Sequence, residues 1–261
     1  MIKFSIFVDG SNQIGSLKKM NIEVDDYEKF YRFIFEESVK VWATCFLTQT
    51  SNIGVLLHRI YWYAVGSIDN LNLDDSKLIS NLEKIFHDDK QLKRNYMALI
   101  SQQYSELTQK EKSDKAWDLC LSESKKWYTK QKELVDGFHK FYHSLRSEID
   151  FMEVSATGHW KVDLLNRVVQ EKGLDTQLAV DMVALKDTYD VGIVISGDAD
   201  SIPSINYVKH EGKHIGVVDF IKGHPPEDKG RQFSSRLKAA SDFVVPIYEL
   251  DLVKKKLVKK K

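Results

Sequence analysis

The stretch Val191-Gly192-Ile193-Val194-Ile195-Ser196-Gly197-Asp198-Ala199-Asp200 decides the fold. Its first half is a short, mostly β-branched apolar run, which reads as a strand buried on both faces. The run breaks at Ser196-Gly197, where glycine permits a sharp turn or a close backbone approach. Ser201 to Glu211 then reads as a helix, with Pro203 in its first turn and Gly212 as its stop. His214 to Val218 is the next strand. Strand, helix and strand joined by short links form a βαβ unit, which implies a parallel sheet. In such a sheet ligands bind in the crevice beyond the carboxyl ends of the strands. Asp198 and Asp200 stand there.

Working outward, Lys3 to Val8 is a first strand that ends in Asp9-Gly10 and opens into a loop. Asp25 and Asp26 precede a helix over Tyr27 to Leu47, with apolar residues at helical spacing. A second strand covers Arg59 to Ala64. Leu134 to Ile149 reads as helix, Phe151 to Val154 as a short strand, Val162 to Glu171 as a helix ended by Gly173, and Leu178 to Leu185 as a further helix. The chain closes with a short helix over Ser234 to Asp242, a strand over Phe243 to Ile247, and a lysine-rich end. Between Asp69 and Lys132 the character changes. That region has neither glycine nor proline, is dense in polar residues, and repeats apolar residues every three or four positions, the pattern of amphipathic helices rather than of a linker. The expectation is an α/β domain over residues 1–250, interrupted by a helical insertion at about 69–132 and followed by a basic tail at 251–261 that reads as a solvated, frayed end, with phosphate contact as the minority reading.

Composition narrows the class. An aromatic content of 11% and 43% hydrophobic residues suit a globular chain. No apolar run is long enough to span a bilayer, so a cytoplasmic protein is expected. Two cysteines, Cys45 and Cys120, lie in apolar helical segments and read as buried thiols, not as a disulfide framework. The formal charge is zero, so nothing global demands a nucleic-acid partner. None of the eight histidines has zinc spacing, and His210 and His214 read as surface residues.

Each acidic position carries two readings. Asp198 and Asp200 could share a metal ion, or Asp200 or Ser201 could cap the following helix. Asp9 could be a metal ligand with Asn12 orienting a ligand, or Asp9-Gly10 could be plain turn chemistry. Asp175 could be a ligand or the N-cap of the helix after it. Asp181 sits inside an otherwise apolar helix, which favours a carboxylate turned inward. Carboxylates collected at one crevice repel one another, and hard cations are the partner that makes such a cluster tolerable. An Asp-x-Asp that binds a metal-nucleotide for sugar transfer leaves Asp9 and Asp181 unexplained.

The stretch Lys172-Gly173-Leu174-Asp175, with Val180-Asp181, Ile195-Ser196-Gly197-Asp198-Ala199-Asp200 and Glu211-Gly212-Lys213, resembles the NYN domain family of PIN-like nucleases. Phe7-Val8-Asp9-Gly10-Ser11-Asn12 resembles its opening strand, and Ser234-Ser235-Arg236-Leu237 with Ala240-Ser241-Asp242-Phe243 its closing element. The resemblance implies a three-layer α/β/α sandwich with a mainly parallel sheet, and an acidic pocket for Mg²⁺ or Mn²⁺. It implies a metal-dependent ribonuclease in which Asp9, Asp181, Asp198 and Asp200 are catalytic and, with Asp175, hold metal. Ser11, Asn12, Lys172, Ser196, Arg231 and Arg236 are the candidates for substrate contact; Lys161, Lys222 and Lys229 are further cations. His159 and Trp160 could stack on an unpaired base. The long helical region departs from the family's spacing. RNA is the implied partner, and Trp117, Trp127 and Tyr128 offer a homodimer surface. The alternative is a non-catalytic RNA- or partner-binding module of the same fold.

Overall fold

The structure, a computed structural model, describes residues 1–47, 53–223 and 235–260. In chain order the elements are β1 (Ile2–Asp9), α1 (Gly10–Lys19), β2 (Ile22–Val24), α2 (Tyr27–Phe46), β3 (Val55–Ile68), α3 (Ser76–Asp88), α4 (Lys90–Gln103), α5 (Gln109–Glu148), β4 (Met152–Asp163), β5 (Val168–Lys172), α6 (Leu174–Ala184), β6 (Val191–Ile195), α7 (Ile202–His210), β7 (His214–Ile221), α8 (Ser235–Ala240), β8 (Phe243–Tyr248), α9 (Glu249–Lys254) and β9 (Val258–Lys260). Short 3₁₀ turns lie at Lys186–Thr188 and Ala199–Ser201. The chain divides into two compact units: Met1–Gly66 with Lys140–Gly158 and Gly173–Lys261, and Ser67–His139 with His159–Lys172.

The first unit is a mixed α/β domain with a mostly parallel sheet flanked by helices, its strands in the order β4-β3-β1-β6-β7-β8. β1 pairs in parallel with β3 on one side and β6 on the other; β6–β7 and β7–β8 are parallel too. Alternation along β1 sends successive side chains to opposite faces. Phe4 meets Phe35 and Trp42 of α2 edge-on, whereas Phe7, three residues on and so on the other face, stacks on Tyr61 and meets Tyr189. From β1 the chain crosses through α1 and α2 to β3; from β6 it crosses through α7 to β7, in the opposite direction along the sheet. The boundary between β1 and β6 is therefore a topological switch point, with a crevice at the strands' carboxyl ends.

Four local outcomes in this unit differ from the sequence reading. Asp9-Gly10 opens directly into α1, not into a loop, because the Asp9 carboxylate caps the helix by accepting from Asn12 N at 2.9 Å. Gly10 is needed for packing: a Cβ there would lie 2.4 Å from Trp62 Nε1 and 2.8 Å from the Tyr63 carbonyl oxygen. The lysine-rich end is folded, with β9 antiparallel to β2 and Lys259 ion-paired with Asp25. Nor is His214 a plain surface residue, since its Nδ1 accepts from Trp42 Nε1 at 2.8 Å and its ring stacks on Phe46. Cys45, expected buried, is exposed.

The second unit is built on α3, α4 and the first part of α5. Asp75 and Asp89 cap α3 and α4, and Phe86, Tyr96, Ile100, Ala116, Trp117 and Cys120 pack with Leu165 in one apolar cluster. Burial raises the Cys120 thiol pKa. Trp117 and Tyr128, read as surface residues, are buried, while Ile85 and Leu99 are exposed. The expected helix over Val162 to Glu171 is instead the β4–β5 hairpin, with His159 opposite Lys172. The Asp163 carboxylate turns the chain by accepting from Asn166 N and Nδ2, and Arg167 takes the left-handed conformation at φ 55°. Ser67 bonds to His159 Nδ1 at 2.9 Å, and His159 Nε2 to Asp69 at 2.8 Å. The second Asp69 oxygen accepts from Val162 N at 2.8 Å. Trp160 meets Phe138 edge-on in this unit.

Candidate active site at the β1–β6 switch point

The carboxyl ends of β1 and β6 deliver Asp9 and Ser196 side by side. Both are 5% exposed. The Ser196 hydroxyl accepts from Asp198 N at 3.1 Å and reaches Asp9 Oδ2 at 3.4 Å, a long hydrogen bond. Asp198 in turn caps the 3₁₀ turn, its Oδ1 accepting from Asp200 N at 3.2 Å. Capping thus falls to Asp198, and Asp200 is exposed. Ser196 links the two acidic motifs through one hydroxyl.

The other expected residues are placed as follows. Asn12 lies one turn into α1 with its side-chain amide against Gly197, where a Cβ would lie 3.0 Å from Asn12 Oδ1. Asp181 is half-buried on α6, which packs against β1 and the 3₁₀ turn at Ala199–Ser201. Its Oδ1 accepts from Gln177 Nε2 at 2.8 Å. Asp181 also faces Tyr63, the register partner of Asp9 on β3. Burial first, and then the Asp181 charge, push the Tyr63 phenol well above its usual pKa. The phenol oxygen is buried and has no partner of full hydrogen-bond geometry. Asp175 sits inside the first turn of α6, not at its cap, which is Gly173 at φ 84°. Ser11 is exposed on α1 and Arg236 on α8; Lys172, exposed, ends β5 in the second unit. Arg231 and Lys229 lie outside the described residues.

A cleft of about 310 Å³ adjoins this centre, lined by Asn12, Gln13, Ser16, Lys19 and Met20 of α1, Ile195, Ser196 and Gly197, and Val218, Asp219, Phe220 and Lys222. Asp219, 2% exposed, and Gln13, 1% exposed, were not anticipated. Asp219 carries the signal that singled out Asp181: a lone carboxylate within an apolar run, Val217-Val218-Asp219-Phe220-Ile221. Gln13 Oε1 accepts from Tyr31 Oη at 2.7 Å.

The donors fit a hard divalent cation in kind, since Asp9, Ser196 and Asp198 offer oxygen only. They do not form a finished cage: among the described residues no group of three or more His, Cys, Asp or Glu side chains is arranged to hold a metal ion. Also among the described residues, no helix is long and apolar enough to cross a membrane.

A mostly parallel α/β sheet with aspartates at its switch point is consistent with a PIN-like α/β fold. The chain belongs to the NYN domain family, whose model matches residues 103–247, and this is a family of nuclease-like domains with the PIN fold that typically use divalent metals. Asp175, Asp181, Asp198 and Asp200 lie inside the matched stretch; Asp9 and Asn12 lie before it. No curated protein matches the chain. Among solved structures the chain is similar to a protein of unknown function from Vibrio parahaemolyticus, at 15% identity over 95% of this chain and 94% of the other, with a TM-score of 0.44.

Proposed function

We propose that this protein is a metal-dependent ribonuclease of the PIN-like three-layer sandwich type, with Mg²⁺ or Mn²⁺ held at the β1–β6 switch point. The observation that carries the reading is the Asp9–Ser196–Asp198 linkage, which joins the opening acidic motif to the one inside the family match. Asp9 and Asp198 would hold the cation, with Asp175, Asp181 and Asp200 contributing further carboxylates. A bound divalent ion acidifies water and offsets charge on a phosphodiester oxygen. The chain's own residues do the rest. Ser196 keeps Asp9 and the Asp198 backbone in register, Asn12 is set against Gly197 to orient a ligand, and Lys222 supplies positive charge at the cleft for a phosphate.

Mn²⁺ titration calorimetry tests the site. Wild type is expected to bind Mn²⁺, and Asp9→Asn to bind at least about tenfold more weakly, as loss of a charged ligand requires. Equal affinity in the two proteins would remove Asp9 from the site. The alternative, a module that binds RNA without cutting it, keeps the cleft and loses the metal. A homodimer through the helical region would use Ile85 and Leu99, because Trp117 and Tyr128 are buried.

A further inference from the structure

We propose that the C-terminal segment Glu249–Lys260 is a strap that binds a nucleic-acid phosphate backbone along the mouth of the cleft. The proposal deepens the ribonuclease reading and rests on it for the kind of chain bound. The segment lies beyond the family match, which ends at residue 247.

The strap ties together the two walls of the cleft. On one wall, Lys222 lines the cleft, and the next residue, Gly223, bonds at both its backbone groups to the start of the strap: Leu250 N donates to its carbonyl at 3.3 Å, and its own N donates to Glu249 Oε2 at 3.2 Å. On the other wall, Lys19 and Met20 line the cleft at the end of α1, and β2 begins two residues later. β9 pairs along the whole of β2. Leu252, Leu257 and Val258 are buried and anchor the strap, while Lys254, Lys256 and Lys260 are exposed.

Charge then decides the partner. Lys259 is neutralised by Asp25, with Glu23 as its register partner, and the Lys255 ammonium lies over the Phe33 ring at 5.2 Å. Among the described residues, Lys222, Lys254, Lys256 and Lys260 make no ion pair. The acids nearest in sequence, Asp251 and Glu249, are half-buried and buried. A run of unpaired, exposed ammonium groups leading from a cleft that adjoins the acidic centre suits an extended polyanion. Phosphates bound by such lysines release counterions, so binding weakens with salt.

The test is fluorescence anisotropy of a labelled single-stranded RNA in EDTA, over a series of salt concentrations. It compares wild type with K254E/K256E/K260E and with a charge-matched control in the second unit, K84E/K90E/K130E. Far-ultraviolet circular dichroism checks the fold of each. The strap variant is expected to bind at least about tenfold more weakly, with a salt slope smaller by about 2, as the loss of three phosphate contacts on a single strand requires. The control is expected to bind like wild type. Should the triple variant not fold, Lys256→Glu, a single change at an exposed strap position, replaces it, with a slope smaller by about 0.7. Wild-type affinity in the strap variant, or an equal loss in the control, overturns the proposal. The two readings fail separately. RNA binding through the strap without metal-dependent cleavage sinks the nuclease and keeps the strap, whereas cleavage with unchanged binding in the strap variant does the reverse.

Discussion

The Ser196 hydroxyl spans Asp9 and Asp198, reaching the Asp9 carboxylate at 3.4 Å while accepting from Asp198 N at 3.1 Å. It does so across the pair of strands from which the chain departs in opposite directions, the one place in such a sheet where neighbouring crossovers leave room for a ligand. Residues 187 apart in sequence thereby become one site.

Asp9 has two separable roles, capping α1 and supplying charge. Asparagine caps a helix about as well as aspartate. Asp9→Asn is therefore expected to unfold within about 0.5 kcal/mol of wild type, whereas Asp9→Ala loses a further ~1 kcal/mol; both lose metal affinity. Urea denaturation of the two variants measures the difference. Equal stabilities would show that the cap contributes nothing.

Two glycines should respond differently to alanine. At Gly10 the new Cβ meets an indole ring and a backbone carbonyl, at 2.4 and 2.8 Å, and neither yields without shifting a strand. A loss of about 2–3 kcal/mol is expected. At Gly197 the Cβ meets only the end of the Asn12 amide at 3.0 Å, which can rotate away. Gly197→Ala should keep the stability to within about 1 kcal/mol but displace Asn12 and reduce activity. Thermal unfolding and cleavage rates, measured side by side, check the pair.

Tyr63→Phe removes a buried hydroxyl that has no partner of full geometry beside the Asp181 carboxylate. Deleting such a group relieves desolvation, so stability should stay level or rise by about 1 kcal/mol. A clear loss in chemical denaturation would mean that the phenol bonds to Asp181 in solution.

The parallel core was legible because buried strands such as Val191–Ile195 and Phe243–Tyr248 are short apolar runs with few alternatives. The segment Val162–Glu171 misled for a physical reason. Its register is set by the Asp163 side chain and a left-handed Arg167, signals weaker than the apparent spacing of Leu164, Leu165 and Val168. α1 was missed since its cap, Asp9, also fits a turn, and its residues are mostly polar. The acidic motifs showed in sequence as carboxylates at the ends of apolar runs. Asp219 carries the same signal as Asp181, a lone carboxylate in an apolar run, without having been picked out; Tyr63 and Gln13 have no such signal, because their place at the site depends on strand register and on α1. The lysine-rich end looked frayed because the apolar anchors Leu252, Leu257 and Val258 are few and lie between lysines.

Asp69 makes the second unit pH-sensitive. The Val162 N–H and then His159 hold its carboxyl below the usual pKa. A carboxyl so depressed stabilises the fold above the ordinary aspartate pKa of about 3.9, and the contribution is lost as pH falls through the lower folded value. Asp69→Asn should cost on the order of 1 kcal/mol at neutral pH, allowing for its partial exposure. The gap should close in acid as the wild-type carboxyl takes up its proton. Denaturation of both proteins at neutral and acidic pH measures it; a gap that stays constant would contradict the assignment.

The central claim is tested most directly by cleavage of labelled RNA, with DNA alongside, in Mn²⁺, Mg²⁺ and EDTA, by wild type and Asp198→Asn. Asparagine can keep the bond from Asp200 N, so the variant should fold. The account predicts metal-dependent cutting of RNA by wild type and its loss, by about a hundredfold or more, in the variant. Cutting at the wild-type rate by folded Asp198→Asn, or no cutting by wild type in either metal, would contradict it.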